Sequence, residues 1–376
     1  MPPTHQILVG DCLELLRAVP DQSVHTCVTS PPYFGLRDYG MAGQIGLEET
    51  PAEFIARLVE VFREVRRVLR DDGTAWVNMG DSYARTGGTD RKVPTHAKVG
   101  STLNTLEQMS DRTAKAPSGL KEKDLMGMPW RLAFALQDDG WYLRQDIIWA
   151  KPNPMPESTR DRCTKAHEYI FLLSKSRRYF YDADAIREPA APASIVRWEQ
   201  AGWDEQDGSD RVPGKANGSM KAVGGLRSKR NSFARDPKPG TGGHGQKAQH
   251  RPDREDVEYA QSRNKRSVWT VATAKYSGAH FATFPADLIR PCIKAGAPRG
   301  GIVLDPFGGA GTTGVVAMQE GRQSILCELN PEYAAMAQAR LEAARMDGAT
   351  QMDVFYDATR LTASPSFPVN QARQPL

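Results

Sequence analysis

Short apolar runs rich in β-branched residues recur at 6–9, 24–29, 74–78, 145–149, 169–173, 302–304 and 324–327. Several lack strict alternation and so predict strands buried on both faces. Between them, apolar positions return every three or four residues over 12–18, 51–69, 128–138, 286–295, 313–319 and 331–345, the spacing of amphipathic helices. The second of these is expected to close at Asp71-Asp72-Gly73. Strands alternating with helices predict an α/β fold: a doubly wound, mostly parallel, seven-stranded sheet covered by helices.

Two stretches break this rhythm. Residues 84–123 are polar and rich in Gly, Thr and Lys, and residues 187–266 are rich in Gly, Pro, Arg and Lys. Both read as insertions or loops. The chain therefore divides into 1–186, an inserted region 187–266, a segment 267–346 that completes the first part, and a tail 347–376.

Composition narrows the class. With 376 residues, 40% hydrophobic and 25% charged, the chain is long enough for one large α/β domain plus an inserted module. It has no apolar run of 18 residues, and Met1-Pro-Pro-Thr-His-Gln lacks the basic and apolar regions of a signal peptide. A soluble, cytoplasmic protein with no membrane partner is expected. Cys12, Cys27, Cys163, Cys292 and Cys327 form no C-x-x-C pair, so they read as reduced core thiols, with no metal site. The net charge of +4 says little, but its distribution says more: 211–251 carries ten Lys or Arg against one acid, Asp236. That segment is basic enough to seek phosphates, and 84–123 fits a nucleic-acid-contacting loop as well as a plain one.

The clearest local constellation is Ile302-Val-Leu-Asp305-Pro306-Phe307-Gly-Gly309-Ala-Gly311-Thr312-Thr313-Gly314, followed by a strand ending at Glu328. Strand, glycine loop, helix, strand and terminal acid describe a nucleoside-cofactor site, and G-x-G-x-x-G with an acid nineteen positions on would suit NAD by spacing. Two features weigh against NAD and nucleoside triphosphates. The loop lies so late in the chain that earlier strands must complete its sheet, and Val315 stands where a P-loop needs Lys-Ser/Thr. A second loop, Thr29-Ser30-Pro31-Pro32-Tyr33, follows an apolar strand. Its prolines fix φ and donate no hydrogen bond, so neighbouring carbonyls can accept from an amino group in a rigid geometry. Such acceptors suit methylation of an exocyclic base amine, whose lone pair must be turned from the ring toward an electrophile. Tyr33 could stack on an extruded base.

Ser-Pro-Pro-Tyr near the start, a basic variable middle, and Asp-Pro-Phe-Gly-Gly-Ala-Gly-Thr near the end together resemble the permuted, or β, class of DNA amino-methyltransferases, over nearly the whole chain. The resemblance implies a permuted Rossmann-like methyltransferase fold with an inserted DNA target-recognition region at 187–266, and S-adenosyl-L-methionine as cofactor. It implies Ser30, Pro31, Pro32 and Tyr33 as the catalytic loop. Asp11 of Val9-Gly-Asp looks like the contact to the cofactor adenine, Glu328 like the ribose acid, and Thr283-Phe284-Pro285 like the segment touching the methionine part. Asp305, Pro306, Phe307, Gly309, Gly311, Thr312, Thr313 and Asn330 complete the implied cofactor set. Lys151 and Asn153, within a run continuing to His167-Glu168-Tyr, resemble the target side, and Arg37, Arg227, Lys229 and Arg230 join them as implied DNA contacts. Phe233, Trp198, Trp203 and Trp269 flank or lie within the basic segment.

Within this family Ser at the first loop position leans toward cytosine N4, and Asp or Asn toward adenine N6. The expected activity is site-specific N4-cytosine methylation of double-stranded DNA by base flipping, within a restriction-modification system, with N6-adenine methylation the alternative. A restriction endonuclease partner and a homodimer fit the resemblance. An RNA or protein-amide methyltransferase, or a DNA-binding module without catalysis, stands further off. A C5-cytosine enzyme would need a nucleophilic cysteine, but Pro291-Cys292 is followed by Ile293 within a helical pattern, so Cys292 reads as core.

Overall fold

The computed structural model describes residues 4–36, 38, 40–84, 120–191, 262–273 and 284–361, with side chains as far as 347. Two compact units are present, one formed by 1–185 with 266–376 and the other by 186–265. Arg37, Thr283, Arg227, Lys229, Arg230, Trp198, Trp203 and Phe233 lie outside the described residues, as does most of 84–123 and of 187–266.

In the larger unit the strands are β1 (His5–Val9), β2 (Val24–Thr29), β3 (Leu69–Met79), β4 (Tyr142–Ala150), β5 (His167–Ser174), β8 (Val268–Thr270), β9 (Ile302–Asp305) and β10 (Gln323–Glu328). They form one sheet in the order β1-β10-β9-β2-β3-β5-β4-β8. Only β5 runs against its neighbours. All seven expected strands are present, and β8 makes the sheet eight-stranded rather than seven-stranded. It adds to the β4 edge through Trp149↔Trp269, where each indole N–H is satisfied by a nearby carbonyl, Val271 O and Arg266 O, both at 2.7 Å.

Helices cover both faces. On one lie α1 (Cys12–Arg17), α2 (Pro51–Val68) and α3 (Met128–Asp138), on the other α4 (Ala286–Gly296), α5 (Thr312–Gln319) and α6 (Pro331–Leu361). The strand pleat divides the core accordingly: Cys27, Ala75, Val77, Phe171 and Leu304 face α1 to α3. On the opposite pleat a Cβ on Gly296 would strike Thr26 and Trp76, and one on Gly314 would crowd Leu326, so these glycines let α4 and α5 lie close to the sheet. The register of α2 follows from its sequence. Thr50 and Glu53 form a reciprocal capping box, Pro51 opens the first turn, and Phe54, Leu58, Val61, Phe62 and Val65 make its buried stripe.

Two boundaries and the burial of one cysteine differ from expectation. The α2 helix passes straight into β3 at Leu69 instead of closing at 71–73, because Leu69 pairs with Val24 and an irregularity before Thr26↔Thr74 absorbs the intervening residues. The last helix continues past 345 into the expected tail, since Gly348 weakens a helix without ending it. Cys163 is exposed, unlike the four other cysteines, which are buried; it lies in the polar β4–β5 connection rather than on an element facing the core. The described residues hold no helix long and apolar enough to cross a membrane.

In the smaller unit, β6 (Glu188–Pro189) pairs antiparallel with β7 (Ser262–Arg263). Arg187 donates to the Ser262 hydroxyl at 2.8 Å and carbonyl at 2.9 Å, and Arg263 faces Glu188 at 3.7 Å.

Candidate active site

The direction of winding reverses between β9 and β2. From β9 the chain crosses by α5 to β10, while from β2 it crosses by α2 to β3 on the other side. Loops leaving adjacent strands at such a point diverge and open a crevice at the carboxyl edge. A cavity of about 410 Å³ occupies it, in the size range of small-molecule sites. Its walls include the ends of β1, β2, β3, β4, β9 and β10, and, because β5 is antiparallel, the beginning of β5.

The glycine loop forms one wall. Asp305 ends β9 with 1% of its surface exposed, and its carboxylate is wholly engaged within the protein. Oδ1 accepts from the Thr29 hydroxyl at 2.6 Å and the Phe307 amide at 3.1 Å, and Oδ2 accepts from the Thr313 hydroxyl at 2.6 Å. Burial raises this carboxyl to about 6, the three donors holding it below what burial alone would impose. One carboxylate thus ties the loop, the first turn of α5 and the end of β2, whose next residue is Ser30. Gly311 adopts φ +77°, and a Cβ there would lie 2.7 Å from that of Ala337, so both its conformation and its neighbour demand glycine.

Glu328 ends β10. Oε2 accepts from Gly309 N at 2.7 Å and Oε1 from Asn330 N at 2.9 Å, while burial raises its carboxyl above the usual value. Asp11 caps α1, accepting from Leu13 N at 2.8 Å and Glu14 N at 3.2 Å. Both acids border the cavity with Pro306, Phe307, Gly309, Thr312, Asn330 and Phe284.

Ser30, Pro31, Pro32 and Tyr33 form the facing wall. The Tyr33 hydroxyl donates to Glu168 Oε2 at 2.8 Å, the Asn78 amide donates to the same oxygen at 3.2 Å, and Lys151 Nζ pairs with Oε1. Lys151 also stands 4.4 Å over the Trp149 ring. Burial, then the negative charge of Glu168 and the hydrogen bond donated to it, hold the Tyr33 phenol well above the usual range, so it stays a neutral donor at physiological pH. A Cβ on Gly80 would lie 2.8 Å from Tyr33 Cε2 and 3.2 Å from Glu168, so the glycine after β3 makes room for this pair.

Of the expected site residues that are described, four do not line the cavity. Thr313 and Gly311 lie behind the glycine loop, Pro285 caps α4, and Asn153 is exposed, accepting from Thr273 N at 3.0 Å. Residues that the expected site set omitted include Glu168, Asn78, Gly80 and Trp149, with Leu36, Met41, Gln44 and Ile45 from the segment after Tyr33. His167-Glu168 heads an apolar run, which was the available signal. Cys12 borders the cavity, but burial pushes its thiol up to about 12, and Cys292 is buried in α4, so neither is a nucleophile at neutral pH.

Residues 24–339 match the model of a DNA methylase family whose name joins N6 and N4 enzymes. The chain is 45% identical over 339 residues to the Type II methyltransferase M.XycI of Xanthomonas campestris pv. cyanopsidis, covering 89% of this chain and 86% of the relative. It is 43% identical over 336 residues to M.SmaI of Serratia marcescens, covering 89% and 90%. Among solved structures, the PvuII DNA methyltransferase, described as cytosine-N4-specific, superposes with a TM-score of 0.53 at 18% identity, covering 90% of this chain and 87% of that one. That likeness shows a common fold.

Proposed function

The chain belongs to the DNA methylase family, and on that premise we propose that it transfers a methyl group to the exocyclic N4 amine of cytosine in double-stranded DNA. The observation that carries the reading is that Ser30-Pro31-Pro32-Tyr33 and the glycine loop face each other across one cavity, joined through Thr29 and Asp305. Ser30 and the cytosine-N4-specific PvuII neighbour favour N4 over N6.

The residues fit S-adenosyl-L-methionine, the methyl donor of this family. Three carboxylates, Asp11, Glu328 and Asp305, border the glycine-loop side, whereas Lys151, the single ammonium among the described lining residues, is neutralised by Glu168 on the other. Glu328 and Asp11 would hold the nucleoside, Phe284 and Phe307 supply apolar contact, and the N-terminus of α5 favours a carboxylate. When bound, this cofactor supplies an electrophilic methyl group. Asp305, fully occupied by Thr29, Thr313 and Phe307, aligns the two walls instead of touching the cofactor.

On the target side, the Ser30 hydroxyl and the carbonyls of the proline loop would accept the hydrogens of the amine and free its lone pair for in-line attack, while the Tyr33 ring, fixed through its hydroxyl, gives an extruded base a surface to stack on. The strand order, with the late strand β9 beside the early strand β2, supports a permuted arrangement. The region 187–266 is proposed as the target-recognition insertion, with Arg227, Lys229 and Arg230 on phosphates or base edges, and Arg37, Lys151 and Asn153 nearer the target. A cognate restriction endonuclease, suggested by the Type II relatives, and a homodimer complete the proposal.

Mass spectrometry of nucleosides from DNA methylated by the protein tests it. N4-methylcytosine is expected, lost on Ser30→Ala with cofactor binding retained in calorimetry. N6-methyladenine would move the assignment to the other branch of the family, and unmodified DNA would defeat it.

A further inference from the structure

Among the described residues Met155 is the most exposed large apolar side chain, at 87%. It stands between Pro154 and Pro156 in the connection from β4 to β5, which starts at Lys151 on the cavity wall. Four residues span at most about 14 Å, so the methionine stays within one base-pair diameter of the cavity wall at Lys151.

The connection holding it is fixed at many points. Lys151 N donates to Ala166 O at 2.8 Å, closing its base. Asn153 accepts from the amide of Thr273, itself on the cavity wall, at 3.0 Å. The Arg162 guanidinium lies 3.9 Å over the Tyr83 ring and bonds Glu157 at 2.5 Å. Lys123 holds Asp161 at 3.0 Å, and Lys165 approaches Asp81 at 3.8 Å. Two prolines and these anchors hold an apolar side chain out in solvent, where it makes no contribution to the core. Five residues on, exposed Arg160 makes no ion pair or hydrogen bond among the described residues. A rigid apolar tip and an unspent cation, on a connection that starts at the cavity wall, match what a bent or unstacked duplex presents to an inserting side chain.

We propose that Met155 enters the DNA stack beside the target and fills the gap left by the extruded base, with Arg160 on a nearby phosphate. This rests on the DNA-methylating reading above and names the residue that makes extrusion favourable. An extruded base leaves two unstacked neighbours, and an apolar wedge between them lowers the cost of holding the duplex open.

The test uses duplexes carrying the methylated site, mapped by sequencing DNA treated with the wild-type protein. Single-turnover methylation by Met155→Ala is expected to fall roughly tenfold or more on the matched duplex, and less than about threefold when the target base is mispaired, because a mispaired base is already cheap to extrude. Met155→Leu should stay within about threefold of wild type, as leucine also serves as a wedge. Arg160→Gln should reduce the slope of log affinity against log salt by about 0.9. Melting temperatures should not change, since neither side chain packs in the core. Wild-type rates for Met155→Ala on the matched duplex, or an equal loss on both duplexes, would overturn the wedge. A wild-type protein that leaves DNA unmethylated would overturn the functional reading itself, a distinct outcome.

Discussion

Replacing Asp305 by asparagine should separate stability from alignment. The rise of this buried carboxyl from the usual 3.8 to about 6 means that at neutral pH the ionised group costs the fold about 3 kcal/mol relative to its protonated form. A carboxyl whose folded value is raised stabilises the fold when protonated. That stability is fully present below about 3.8 and is lost as pH rises through about 6. Between pH 5 and pH 7.5 the wild-type protein should therefore lose about 1.4 kcal/mol from this group, a loss that Asp305→Asn removes. The amide nevertheless cannot accept from Thr29 at one atom and Thr313 at the other, because its nitrogen only donates, so one hydroxyl must turn away. Each hydrogen bond to a charged acceptor contributes about 1.5–3 kcal/mol. The expected variant is within about 1 kcal/mol of wild type in urea unfolding at pH 7.5, flatter in its dependence on pH, and at least roughly tenfold slower in single-turnover methylation. Subtracting one protein's pH dependence from the other's cancels most other titrating groups. A variant that keeps the wild-type pH dependence, or loses 3 kcal/mol or more at pH 7.5 on this scale, would refute the reasoning.

Other expectations concern the two walls separately. Glu168→Gln keeps an acceptor for Tyr33 but leaves Lys151 without its counter-charge; single-turnover rate should drop about tenfold while the calorimetric affinity for S-adenosyl-L-methionine changes less than about twofold. In Gly80→Ala the new methyl meets Tyr33 and Glu168, so methylation should fall at least about tenfold with a melting temperature within a few degrees of wild type. Gly311→Ala meets both a left-handed conformation and Ala337, and should destabilise by about 2 kcal/mol or more in urea titration, with cofactor affinity falling alongside.

The strands and the two loops were legible because each rests on local chemistry: an apolar run, a glycine turn, a proline pair. That Thr29 and Thr313 share one carboxylate was not, since the hydroxyls stand far apart in sequence and threonine after a strand has many uses. In sequence Glu168 reads only as part of the target-side run to Tyr169, and its own role is hidden for a topological reason. In a parallel sheet the residues that begin a strand lie at the edge away from the site, and only the reversed direction of β5 carries Glu168 to the carboxyl edge. Nothing within 167–174 announces that reversal. The short edge strand β8 was equally silent, because three residues with one buried tryptophan carry too little periodicity to register. Gly80 resembles any glycine after a strand until the ring that crowds it is known.

The strand order also sets a timetable for synthesis. Strand β1 is completed by residue 9, yet its partner β10 begins at residue 323, and β2 borders β9, which begins at residue 302. At translation rates of about 5–20 residues per second, these early strands wait roughly 15–60 s with an open, apolar pairing edge. During that interval the Ser30-Pro31-Pro32-Tyr33 loop has been made but the glycine loop that faces it has not, so a chain broken off before residue 302 lacks both Asp305 and Glu328. The same open edges offer a template for pairing between nascent chains, which makes aggregation during expression the hazard of this topology.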